Sequence, residues 1–209
     1  MICLFGGTFD PVHRGHLHAA LSVCEALGID EIRLILSARP SHRKTPGATI
    51  SQRWDMLCLA CASDPRLRPD DREIRRARPS FTVDTLAELR AEHPREPLVW
   101  VIGSDAYALL PSWYQWQRVL ELCHLLVLNR PGHALDLNDT MRRFTAAAMV
   151  TDPLVLESQS HGRILVLERP MEQVSAEAIR AIIAAGGNAD HLLPVAVATY
   201  IRTHSLYGG

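Results

Sequence analysis

The sequence lacks any apolar run close to the ~18–20 residues that a membrane-spanning helix requires. It also lacks a charge excess of either sign: 22 Lys+Arg stand against 23 Asp+Glu in 209 residues, a formal net charge of -1. A dedicated nucleic-acid binder normally carries a basic excess, so neither nucleic acid nor membrane is an expected partner. A small anionic ligand remains open, because it needs only a few local donors. The amino terminus has no basic region before an apolar stretch and no small-residue cleavage site, so no signal peptide is expected. Cysteine is scarce and odd in number: Cys3, Cys24, Cys58, Cys61 and Cys123 lie in apolar stretches. Reduced, buried thiols in a cytoplasmic protein are the expectation. Cys58-Leu-Ala-Cys61 has no second Cys or His pair at zinc spacing, which assigns it to core packing and predicts no metal site. No Gly/Ser linker and no repeat interrupts the chain, so one domain over residues 1–209 is expected.

What the sequence does contain is an alternation of two periods. Residues 2–5 form a short apolar run that reads as a buried strand. Leu17, Ala20, Leu21, Cys24 and Leu27 follow at helical spacing and stop at Gly28. Residues 31–36 are a second strand. A polar loop over 37–50 precedes a helix that Ser51 would cap, with Trp54, Leu57, Cys58 and Cys61 as its apolar stripe. The basic stretch 72–78 is expected as an exposed or edge strand. Thr82 would cap a helix bearing Val83, Leu86 and Leu89, and residues 98–102 form the clearest strand. A helix over 113–122, strands at 124–128 and 163–167, a helix capped by Ser175 and a final helix opened by Pro194 complete the pattern. Residues 133–162 show little periodicity. Strands alternating with helices predict an α/β fold, a doubly wound and mainly parallel sheet.

The strongest motif joins the first strand to the first helix: Gly6-Gly7-Thr8-Phe9-Asp10-Pro11-Val12-His13-Arg14-Gly15-His16. Ligands of open α/β sheets bind at the carboxyl ends of strands. Glycines there let main-chain N–H groups approach phosphate oxygens, and two histidines three apart can face one anion beside a positive helix start. No Gly-Lys-Ser/Thr follows, so this is no P-loop, nor is it G-x-G-x-x-G.

These residues resemble the H-x-G-H nucleotidyltransferase superfamily, and most of the chain resembles its bacterial nicotinate-nucleotide adenylyltransferases. The resemblance implies a Rossmann-like fold and transfer of AMP from ATP to nicotinate mononucleotide, with Mg²⁺ accompanying ATP. It implies His13 and His16 as phosphate-binding catalytic groups, and Gly6, Gly7, Thr8, Phe9 and Gly15 as part of the ATP site. Val174-Ser175-Ala176-Glu177-Ala178-Ile179-Arg180 matches a second superfamily segment, implying Ser175 and Arg180 at the triphosphate. Glu177 stands where the family usually has Thr and reads as a helix-dipole residue.

For the acceptor, Ser80-Phe81-Thr82 resembles the family's Ser-Tyr-Thr element, which implies that Thr82 helps hold the mononucleotide. Pro111-Ser112-Trp113-Tyr114-Gln115-Trp116 resembles a Thr-Trp-Tyr segment. It implies Trp113, with Tyr114, as the platform for a cationic pyridine ring, and Trp116 as core. Asp105, after the central strand, is positioned to accept bonds from ribose hydroxyls. Pro40-Ser41-His42-Arg43 and Arg130-Pro131-Gly132 resemble family loops and make His42, Arg43 and Arg130 candidate phosphate contacts. Nicotinamide mononucleotide, phosphopantetheine and a non-catalytic nucleotide-binding role are the alternatives, and the oligomeric state stays open.

Overall fold

The computed structural model describes residues 1–40, 45–170, 172 and 174–208. Its elements are β1 (Ile2–Gly7), α1 (Arg14–Leu27), β2 (Ile32–Leu36), α2 (Ile50–Cys61), β3 (Leu67–Asp70), α3 (Thr82–Glu92), β4 (Leu98–Gly103) and α4 (Ser104–Ala108). They continue with α5 (Gln117–Leu122), β5 (His124–Asn129), α6 (Asp139–Ala148), β6 (Met149–Val150), β7 (Ile164–Glu168), α7 (Ala176–Ala184) and α8 (Val195–Thr203). The fold is the doubly wound, parallel α/β sheet that the alternation predicts. No described helix is long and apolar enough to cross a membrane.

The chain divides into two compact units. One comprises residues 1–6 and 80–170, the other residues 7–79 and 171–209. In the first, the strands run β1-β4-β5-β7-β6, every pair parallel. β1 thus lies beside β4, although β2 and β3 intervene in the chain, and Ile2 aligns with Leu98. Leu98–Gly103 and His124–Asn129 are buried almost throughout because strands in the middle of a parallel sheet are covered on both faces. His124 is fully buried within β5. Its Nδ1 accepts the Arg163 N–H at 3.1 Å, so its Nε2 donates to the Gln159 carbonyl at 2.9 Å. Arg90 from α3 donates to the carbonyls of Leu122 and Ser160, tying the helix ends together.

In the second unit β2 pairs in parallel with β3, with Ile32 opposite Leu67. α1 ends at Gly28, whose φ of 63° is the left-handed cap expected of glycine. α7 is capped by Ser175, whose hydroxyl accepts the Ala178 N–H at 3.1 Å, as the cap pattern predicts.

Several local expectations are corrected. The cap of α2 is Thr49, not Ser51: Thr49 exchanges bonds with Gln52 in a capping box, and Ser51 lies inside the helix. The buried face of α2 is Arg53, Met56, Leu57, Ala60 and Cys61, so Trp54 and Cys58 lie at its half-buried margins. Residues 72–78 form turns rather than a strand, and the strand lies just upstream as β3. Thr82 is the first residue of α3, whose cap position is held by extended Phe81. Trp113 to Trp116 are not helical: a 3-10 turn over Leu110–Ser112 precedes them, and α5 starts only at Gln117. The weakly periodic 133–162 segment contains α6, capped by Asn138, and the short strand β6. The five cysteines are free, four of them buried and Cys58 half-buried.

Candidate functional site

In the second unit the motif after β1 folds back on itself. Phe9 adopts a φ of 46° and its ring turns toward Gly7, where an added Cβ would stand 2.7 Å from two ring carbons. Glycine at position 7 is therefore required by contact. The main chain then reaches His13, extended at φ -140°, and α1 starts.

The two histidines come together. Their rings stack at 3.6 Å between centroids with planes 22° apart, and the His13 N–H donates to His16 Nδ1 at 3.3 Å. Phe9 meets His16 edge-on at 5.0 Å. A Cβ on Gly15 would lie 3.2 Å from His13 Nδ1, so the glycine between the histidines lets their rings close. His13 is only 5% exposed, and burial lowers its pKa to about 4. It is neutral at pH 7, and His13 Nδ1 is buried without a hydrogen-bond partner. Two stacked imidazoliums would repel, and the neutral His13 avoids this. A buried, unsatisfied ring nitrogen is uncommon in folded proteins and marks where a ligand group can bond.

Asp10, three residues earlier, is 5% exposed and saturated. It accepts from the Gly47 N–H at 2.8 Å, the Ala48 N–H at 3.1 Å and the Tyr207 hydroxyl at 2.8 Å. Arg180 donates through Nη1 to the Asp10 carbonyl at 2.6 Å. Arg53, 1% exposed, donates to the carbonyls of Thr8, Ser37 and Ala38 at 2.8–2.9 Å. Asp10, Arg53 and Tyr207 organise this loop, and no motif in the sequence marks them for that role. Arg53 follows its own helix's buried face at the 53, 56, 57, 60, 61 spacing, and a search for apolar residues alone skips it. Ser175 is exposed at the start of α7, and Glu177 is exposed in its first turn without a hydrogen bond or ion pair among the described residues.

In the first unit, Trp113 is half-buried and Tyr114 is 49% exposed, its ring 4.7 Å from that of Phe81, directly before Thr82. Trp116, expected in the core, is only half-buried and packs edge-on against Phe144 at 4.9 Å. The Trp113 N–H is taken by the Leu110 carbonyl at 2.9 Å, whereas those of Tyr114 and Gln115 have no acceptor among the described residues. Asp105 is exposed in the first turn of α4, and Arg130 is exposed after β5. His42 and Arg43 lie outside the described residues. No group of three His, Cys, Asp or Glu side chains able to hold a metal occurs among the described residues.

The family model described as cytidylyltransferase-like matches residues 4–182. A relative from Pseudomonas syringae pv. tomato is 45% identical over 207 residues, covering 99% of this chain and 93% of its own, and is named "Probable nicotinate-nucleotide adenylyltransferase". One from Aeromonas hydrophila with the same name is 41% identical, over 99% of this chain and 96% of its own. Among solved structures, Plasmodium falciparum nicotinic acid mononucleotide adenylyltransferase complexed with NaAD superposes with a TM-score of 0.75. It is 16% identical and covers 99% of this chain and 96% of its own, a likeness of fold.

Proposed function

The chain belongs to the cytidylyltransferase-like family, and from that premise we propose that it transfers AMP from ATP to nicotinate mononucleotide. The products are nicotinic acid adenine dinucleotide and pyrophosphate. One observation carries the reading: buried His13, stacked on half-buried His16, opens α1 in a chain that is 45% identical over 99% of its length to a relative named "Probable nicotinate-nucleotide adenylyltransferase".

A 5′-phosphate oxygen of the mononucleotide attacks the α-phosphorus of ATP. The bond from that phosphorus to the bridging oxygen breaks, and pyrophosphate leaves. No covalent enzyme intermediate is needed, so the protein's work is positioning and charge stabilisation. Neutral His13 donates a hydrogen bond to phosphate oxygen without needing a proton from solution, and His16 stands against its face. Main-chain N–H groups of Gly6, Gly7, Thr8, Phe9 and Gly15 line the phosphate path. Ser175, the α7 N-terminus and Arg180 hold the β- and γ-phosphates. Glu177 serves the helix dipole from the solvent side.

Trp113 offers a ring face to the cationic pyridine, and Thr82 and Tyr114 complete that end. The unengaged N–H groups of Tyr114 and Gln115 are suited to the nicotinate carboxylate. Asp105 accepts from ribose hydroxyls, and His42, Arg43 and Arg130 add positive charge for phosphate. Asp10, whose oxygens are already engaged, is not a metal ligand. Mg²⁺ would accompany ATP, held by phosphate oxygens and water rather than by protein side chains, and would lower the negative charge of the triphosphate. The reaction belongs in the cytoplasm, a reading supported by the free cysteines.

The test is pyrophosphate release with ATP and three acceptors in parallel: nicotinate mononucleotide, nicotinamide mononucleotide and phosphopantetheine. A higher kcat/KM for nicotinate mononucleotide is expected. A preference for either other acceptor overturns the assignment, and no release with any of them removes the activity.

A further inference from the structure

Beyond α8 the chain makes a turn in which two residues other than glycine take positive φ: Ser205 at 49° and Tyr207 at 64°. Residues with a Cβ avoid that region, and such conformations persist where the surroundings over-determine them. The turn brings Tyr207 to Asp10. Tyr207 donates its hydroxyl to Asp10 Oδ1 at 2.8 Å, and its ring lies beside Gly47, where an added Cβ would stand 3.2 Å from two ring carbons. Burial and the Asp10 charge both push the Tyr207 phenol far up, so it remains a protonated donor throughout the neutral range.

Asp10 is in turn shared. Its Oδ1 accepts from Tyr207 and from the Ala48 N–H; its Oδ2 accepts from the Gly47 N–H and lies 3.6 Å from Arg180 Nη1. A buried carboxylate draws on every cation and donor within reach, and each neutral donor supplied to it weakens its hold on the rest. The tyrosine hydroxyl thus sets how strongly Asp10 pulls Arg180 inward.

We propose that Tyr207 is a positioning residue for the triphosphate end of the site, acting through Asp10 to leave the Arg180 guanidinium available to the departing pyrophosphate. This rests on the reading of Arg180 as a phosphate ligand given above. Without the hydroxyl, Oδ1 keeps a single donor and the uncompensated charge falls on the cations near it; Arg53 is held by the carbonyls of Thr8, Ser37 and Ala38, so Arg180 is the one drawn away from phosphate.

The variant Tyr207→Phe keeps the ring against Gly47 and removes only the donor. KM for ATP is expected to rise about tenfold, the scale of one hydrogen bond to a charged group. KM for nicotinate mononucleotide should stay within about twofold. Binding of inorganic pyrophosphate to the full chain, measured by calorimetry, should weaken by a similar factor. Because the effect runs through the Asp10 charge, adding Tyr207→Phe to Asp10→Asn should produce no further rise in KM for ATP. An unchanged KM for ATP, a fall in kcat alone, or additive effects in the double variant each overturn the proposal. If the wild-type chain releases no pyrophosphate with any acceptor, the reaction assigned above fails. The calorimetric arm then decides separately: weaker pyrophosphate binding by Tyr207→Phe upholds the role of Tyr207, and equal binding overturns it.

Discussion

The loop ahead of α1 and the turn ahead of α5 carry the two ends of the proposed reaction, and they are built in opposite ways. Residues 8–13 are tied by partners far away in the chain: Arg53 holds the Thr8 carbonyl, and Asp10 receives Gly47, Ala48, Tyr207 and Arg180. Residues 112–117 are tied locally, as where Gln115 Nε2 donates to the Tyr114 hydroxyl at 2.9 Å and Arg118 donates to Gln115 Oε1 at 2.7 Å. Charge stabilisation at phosphorus needs dipoles fixed in advance, since any reorganisation adds to the barrier. Holding an aromatic ring asks mainly for a complementary face, which a half-exposed turn supplies.

The comparison breaks most visibly at Arg53. Arg53→Met leaves the carbonyls of Thr8, Ser37 and Ala38 without their donor, and a hydrogen bond to a charged group is worth ~1.5–3 kcal/mol. Denaturant unfolding should show that loss, whereas Trp113→Ala in the exposed turn should shift the midpoint little. A midpoint as high as wild type in Arg53→Met would mean that the loop does not depend on its distant ties.

His16→Ala comes next. Losing a partner of the transition-state charge should lower kcat by ~100-fold or more, with the fold retained by circular dichroism. Near-normal turnover would remove His16 from the chemistry.

Acidification separates the two regions without a mutation. His13 has a pKa of about 4 in the folded chain against an ordinary 6.5, so between those values the unfolded chain binds the extra proton. Stability is full above about pH 6.5 and falls as the pH drops toward 4. The loss by pH 4.5 is roughly 2 kcal/mol from this one residue. Melting curves of wild type and His13→Asn between pH 7 and 4.5 should differ in slope, and parallel curves would contradict the buried neutral histidine.

At the other end, Trp113→Ala should raise KM for nicotinate mononucleotide by ~3- to 30-fold, in line with ~0.5–2 kcal/mol for a cation on an indole face. KM for ATP should hardly move, and an equal rise in both would sink the division of labour. Smallest is Glu177→Thr. An exposed residue in the first turn of α7 should lower stability by no more than ~1 kcal/mol when its charge is lost. A several-fold fall in KM for ATP would instead put its carboxylate at the phosphates.

Much of this was legible in the chain. The glycines and histidines of residues 6–16 announce a ligand loop by type and spacing, and the strands β4 and β5 announce themselves as uninterrupted apolar runs. The caps were less legible. Thr49 and Ser51 are chemically equivalent candidates, and Gln52 three residues on decides for Thr49 through a reciprocal bond. At residues 113–116 the aromatic run resembles a helix face, yet Gln115 takes a φ of 49°, which no helix permits.

The local alternation of periods, the Gly28 and Ser175 caps and the H-x-G-H string were determined by sequence alone, because each depends on neighbours within about four residues. The tertiary structure alone decided that Asp10 is saturated by donors from positions 47, 48 and 207, and that an arginine at 53 serves the loop at residue 8. It also decided that His13 is buried and neutral. The reason is physical: burial and partner choice for a charged group depend on what the rest of the chain brings to it, and no local pattern encodes a partner 197 residues away.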